Sequence, residues 1–164
     1  MFLTPLGKDI ISSTAQKKQN IAYKLINGQD DIQNYLSNFI CYDTVAFVRY
    51  LQYFTPPISE NELINTYAQS WLPKFSFETG TKWHGEYLMP GLAIGFKRKL
   101  SNNTSYFFHA AISVGNKSIR GVNGLYLGPD WSYLADLNIL KSPDQQGFFT
   151  YDNALVEVYI SKAF

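Results

Sequence analysis

The order of patterns along this 164-residue chain predicts an α+β fold, with N-terminal helices packed on a C-terminal antiparallel β-sheet. Apolar residues recur at helical spacing as far as Trp71. Beyond Pro73 they give way to aromatic and β-branched runs separated by Gly, Asn and Pro turns. Length adds a third observation: a single domain over residues 1–164 is long enough to bury roughly two-thirds of the surface its unfolded chain exposes.

Residues 1–13 read as an irregular lead-in, and Ala15 to Ile26 as a helix that stops at Asn27-Gly28. Asp30 or Asp31 is placed to cap a second helix, in which Ile32, Leu36, Phe39 and Ile40 would share one face. From Cys41 to Phe54 the apolar positions Ala46, Phe47, Val48, Leu51 and Phe54 predict a largely buried helix, ended by Pro56-Pro57. Ser59 and Glu62 form a capping box that starts a helix running from Glu60 to Trp71. Lys74 to Glu86 has no clear period and reads as a loop or irregular strand. Leu92–Lys99 reads as a strand, Tyr106–Val114 and Ser118–Leu127 as a hairpin, Trp131–Leu140 as a short helix or loop, and Ala154–Ile160 as the last strand.

The charge is nearly balanced, 14 Lys and Arg against 13 Asp and Glu, so no bulk field draws the chain to nucleic acid or an anionic membrane. Lys17-Lys18 and Lys97-Arg98-Lys99 read as solvated faces. One cysteine excludes an internal disulfide and leaves either a buried structural thiol or a reactive one. Two histidines and that cysteine are too few for a zinc site, and no phosphate loop is present, so neither metal nor cofactor is expected. No apolar run is long enough for a membrane span, and no secretory signal opens the chain. The expected location is cytoplasmic, or outside the cell by a route without a cleaved signal.

The candidate chemistry joins Cys41, at a helix start, to His109, near a strand start. A helix N-terminus and a neighbouring imidazole both favour a thiolate nucleophile. In a hairpin turning at Asn116-Lys117, residue 109 lies opposite 123 or 124, which puts Asn123 in reach of the imidazole as its orienting group. Trp83-His84, in an aperiodic loop between helices and sheet, could border a cleft. The run Pro90-Gly91-Leu92-Ala93-Ile94-Gly95-Phe96, followed by His109-Ala110-Ala111-Ile112-Ser113-Val114-Gly115-Asn116, resembles the paired strands of papain-like hydrolases of the NlpC and CHAP type, and Cys41 with Phe47-Val48 is similar to their nucleophile helix. The chain departs from that pattern with Leu92 where the families carry Asp, and with Ile40 and Tyr42 beside the cysteine.

The resemblance implies a papain-like core that cleaves an amide bond through an acyl-enzyme. Cys41 would be nucleophile, His109 base and then acid, and Asn123 the orienting residue; apart from the resemblance, Tyr42, Trp83 and His84 are the residues expected on the substrate side. It implies peptide, protein or peptidoglycan substrates, a deamidase or acyltransferase variant of the same chemistry, and, for a toxin-like effector, an inhibitor or immunity protein as partner. A second reading of the residues, from a different class, is a non-catalytic protein-binding or inhibitory module that uses Tyr- and Trp-rich loops, with Cys41 and His109 structural.

Overall fold

The computed structural model describes residues 1–164 and has the α+β architecture expected. Strand β1 (Phe2–Leu3) and helix α1 (Pro5–Ile11) occupy the segment expected to be irregular. The signal there was Thr4-Pro5: the Thr4 hydroxyl accepts from the Gly7 N–H and Pro5 stands where its missing N–H costs nothing. Helix α2 (Ala15–Ile26) has the predicted bounds.

The helix expected over residues 32–40 does not form. Asp31 caps only a 3₁₀ turn over Ile32–Asn34, strand β2 (Leu36–Ser37) pairs with β1, and Asn38 turns left-handed at φ 50°. Ile32 and Leu36 are buried all the same, so the spacing marked burial and not helix.

Helix α3 (Cys41–Gln52) is the hub of the first core. Of its twelve residues only Arg49 and Gln52 are not buried. Its start is held by Asp43, whose Oδ2 accepts from the Ile40 N–H at 3.0 Å while Oδ1 accepts from the Ala68 N–H and the Trp71 indole. Helix α4 (Glu60–Asn65) begins at the predicted Ser59 cap but ends early. The chain then breaks at Ala68, φ 48°, into a 3₁₀ turn over Ala68–Trp71 that leads into α5 (Leu72–Phe75).

The sheet is antiparallel throughout and contains β3 (Thr81–Lys82), β4 (Ala93–Lys99), β5 (Ser105–Gly115), β6 (Ser118–Arg120), β7 (Ala135–Asp136), β8 (Phe149–Tyr151) and β9 (Ala154–Ile160). Its order is β3-β9-β4-β5-β6-β7, with β8 beside the first half of β9. The second strand of the expected hairpin is short: β6 stops at Arg120, and residues 121–128 leave the ladder as a glycine-bounded loop. The segment expected as helix or loop over 131–140 supplies the edge strand β7 and a 3₁₀ turn.

Side chains alternate across this sheet and divide the interior. One face carries Ala93, Ala110 and Ile112 against α3 and the other helices. The opposite face carries Ile94, Phe96, Ala111, Val156 and Val158, covered by Trp83, Leu127, Leu137 and Phe149. The edge of the sheet is tied back to the helices by Arg120, whose Nε donates to the last carbonyl of α2, Ile26, at 2.9 Å. The Trp131 indole donates to Leu25 O at 2.9 Å. Both donate to carbonyls of the last helical turn, which lack the usual partner four residues on.

Candidate functional site

Cys41 is the first residue of α3, as expected, and it belongs to the core between the helices and the sheet. Burial pushes its thiol up to about 11, against the backbone N–H groups of Ala110 and Tyr42, which favour the thiolate; the nearby Asp43 carboxylate adds to the upward push. The helix start is therefore too dry for the partial charge at its end to make a thiolate near neutral pH.

His109 lies on β5, directly opposite Phe96 on β4. Residues opposed in an antiparallel pair share a face, so the imidazole stands with Phe96, at 5.4 Å between ring centres, on the side away from α3. Its Nε2 lies 2.8 Å from Leu127 O. A carbonyl can only accept, so Nε2 carries the proton and Nδ1 is left as a bare acceptor with no partner. Burial lowers the imidazole to about 4, with the Leu127 carbonyl pulling the other way, so the ring is neutral. The two side chains stand on opposite faces of the sheet, Cys41 in the core shared with Ala110 and His109 beside Phe96 in the other. The cysteine approaches the sheet through Ala110, one residue on, and the strand's alternation turns His109 to the other side.

Asn123 does not orient the ring. It is exposed, left-handed at φ 57°, and its N–H donates to Pro129 O. Gly124 is the residue that meets the imidazole: a Cβ there would fall 2.8 Å from Nδ1 and closer still to Cε1. No ladder pairing sets 109 opposite 123 or 124, because β6 ends at Arg120; Gly124 reaches the ring from the loop, and glycine is there because the ring fills its side-chain volume.

The residues expected on the substrate side are scattered. Tyr42 is buried in the first core, with its hydroxyl donating to Phe107 O at 3.1 Å. Trp83 is buried in the second core, stacked on Phe149 at 5.1 Å, with its indole donating to Glu86 O. His84 is exposed, and its backbone N–H donates to Glu86 Oε2. A depression of about 380 Å³ between α2 and α3, lined by Tyr23, Ile26, Asn27 and Gln52 among others, reaches neither Cys41 nor His109. No group of three His, Cys, Asp or Glu side chains is placed to hold a metal ion.

No family model matches the chain, and no curated protein is significantly similar to it. The site is therefore read from its own geometry.

What sequence reasoning missed is the surface beside the edge of the sheet. Tyr87 is 77% exposed, Leu125 and Tyr126 are each 66% exposed, and Tyr133 and Leu134 about half. The loop that carries Leu125 and Tyr126 is tightly held. Gly124 N–H donates to Gly128 O, Leu127 N–H to Gly124 O and Gly128 N–H to Leu125 O, and Leu125 sits at φ 50°, which is unusual for a residue with a side chain. The alternation of glycines with Leu-Tyr-Leu in 121–128 was the available signal. It marks a rigid turn that buries Leu127 and presents its two neighbours outward.

Proposed function

We propose that this chain is a non-catalytic protein-binding module whose contact surface is the aromatic edge around Leu125, Tyr126, Tyr133 and Leu134. The observation that carries the proposal is the outward presentation of Leu125 and Tyr126 on a loop fixed by its own hydrogen bonds and by His109 beneath it. Exposed apolar side chains held rigidly lose little entropy when a partner covers them, and tyrosine is favoured at binding hot spots. In this reading the cysteine-headed helix and the histidine-bearing strand serve as scaffold. Cys41 packs in the first core, and His109 supports the loop through Leu127 O.

The thiol hydrolase reading asks for an imidazole on the α3 side of the sheet, and His109 faces the other way. A crosslinking experiment tests the proposal. A photoreactive phenylalanine analogue placed at Tyr126 should capture a protein partner from the native source that the same analogue at Tyr23, on exposed α2, does not, and Cys41→Ala should leave the capture intact. Hydrolysis of an amide substrate by the purified chain, abolished by Cys41→Ala, would overturn it.

A further inference from the structure

The loop that presents Leu125 and Tyr126 is closed upon itself. Asn123 N–H donates to Pro129 O, Gly124 N–H to Gly128 O, Leu127 N–H to Gly124 O and Gly128 N–H to Leu125 O, so these backbone bonds all end within residues 123–129. The hydrogen bond that ties this unit to the sheet is the one from His109 Nε2 to Leu127 O, beside the buried Val122 and Leu127 side chains. Glycines stand at both ends: Gly121 where the chain leaves β6, and Gly128, left-handed at φ 116°, where it returns. A unit of this kind is able to swing off the sheet without breaking its own bonds.

The tie is a titratable group with no place for a second proton. His109 is buried and its Nδ1 has no partner. The loop itself covers that nitrogen, since a Cβ on Gly124 would fall 2.8 Å from it. Water reaches Nδ1 when Gly124 withdraws. The charged and titratable side chains of the surrounding elements are engaged elsewhere. Arg98 of β4 lies over Phe108 and near Asp152, and Arg120 of β6 is bonded to the Ile26 and Trp131 carbonyls. The Tyr151 phenol of β8 stands by the Tyr126 backbone, Glu157 of β9 pairs with Lys82, and Asp130 beyond the loop accepts from Ser132. Protonating the ring beneath a docked loop buries a cation whose new N–H has no acceptor. Burial accordingly holds the docked imidazole down to about 4, whereas a hydrated ring takes its proton near 6.5.

We infer that the loop over residues 121–128 is an acid-released element: protonation of His109 undocks it from the sheet and so withdraws the contact surface formed by Leu125 and Tyr126. The inference rests on the binding-module reading and goes beyond it in giving that surface a regulator, the proton. Because the undocked ring binds the proton more tightly, each unit by which pH falls between about 6.5 and 4 multiplies the ratio of undocked to docked loop about tenfold. Return to neutral pH restores docking.

NMR of the isotopically labelled whole chain, titrated from neutral pH to about pH 4, tests the release without a partner. The Leu127 methyl and Gly124 amide signals should leave their docked positions at the same midpoint at which the His109 ring nitrogens take up the proton. The Val156 and Val158 methyls of β9 should stay where they are, and neutral pH should restore the spectrum. His109→Gln still has a donor for Leu127 O and does not titrate, so its loop should stay docked. Circular dichroism checks that this variant folds, and the shared midpoint in the wild-type chain is a test that does not depend on it. A loop still docked at the end of the titration, one that moves together with the β9 core, or one that moves equally in His109→Gln would overturn the inference. Crosslinking from a photoreactive phenylalanine analogue at Tyr126, at neutral pH and again in acid, reads the surface itself. Capture should be lost reversibly in acid and kept by His109→Gln. Capture that acid leaves intact would overturn the regulation and leave the binding surface standing, whereas no capture at neutral pH would overturn the binding-module reading and the regulation with it.

Discussion

Acidification should destabilise this fold through His109 before its carboxylates titrate fully. In the folded chain the imidazole is held at about 4 by burial against Phe96, Gly121 and Gly124, whereas an unfolded chain binds the same proton near 6.5. Between those two values the unfolded state holds a proton that the folded state does not, so stability rises with pH across the window. The contribution is fully present above about pH 6.5 and is lost as pH falls towards 4, where it amounts to about 3 kcal/mol. Urea unfolding followed by tryptophan fluorescence near neutral pH and again near pH 4.5 measures it. The control is His109→Gln, whose amide nitrogen can still donate to Leu127 O but which does not titrate. It should start from a lower stability and lose about 2–3 kcal/mol less over the window. Parallel losses in wild type and His109→Gln would show that the imidazole is not held neutral in a dry site and would refute the reasoning.

Two further outcomes follow from the same contacts. Gly124→Ala, at an ordinary φ of −110°, adds a methyl group into the imidazole and should cost about 1–3 kcal/mol by overpacking, read as a fall in Tm, while Gly85→Ser, a left-handed glycine with open space around it, should be felt only through its backbone. Asp43→Ala removes the acceptor shared by Ile40, Ala68 and Trp71 and should cost about 2–4 kcal/mol, with faster amide exchange at the start of α3 and a changed tryptophan emission.

Much of the scaffold was legible because its signals are local. The stop at Asn27-Gly28 and the run over 154–160 gave α2 and β9 their bounds, and the density of apolar residues after Cys41 gave α3. Strand β8 escaped notice although Asp152 and Asn153, both left-handed, make the two-residue turn that a tight hairpin needs. The relation of Cys41 to His109 was not legible. Phe107-Phe108-His109-Ala110-Ala111-Ile112 belongs to a strand covered on both faces, so it shows no polar and apolar alternation to say which side meets the helices. One extra residue, Phe108, also slips the register between Phe96 and Lys97, which an inspection of spacing cannot foresee. Exposure of Leu125 and Tyr126 depends on the loop's departure from β6, a tertiary outcome that composition does not encode.

The separation of Cys41 from His109 by the sheet is tested most directly by the rate at which iodoacetamide alkylates the native thiol as pH is varied. With Cys41 buried and pushed up to about 11, and no imidazole beside it, the reaction should be slow at neutral pH, should quicken only as the solution becomes strongly alkaline, and should keep the same profile in His109→Gln. Rapid alkylation with an inflection at or below neutrality, lost in His109→Gln, would contradict the account and restore the catalytic pair.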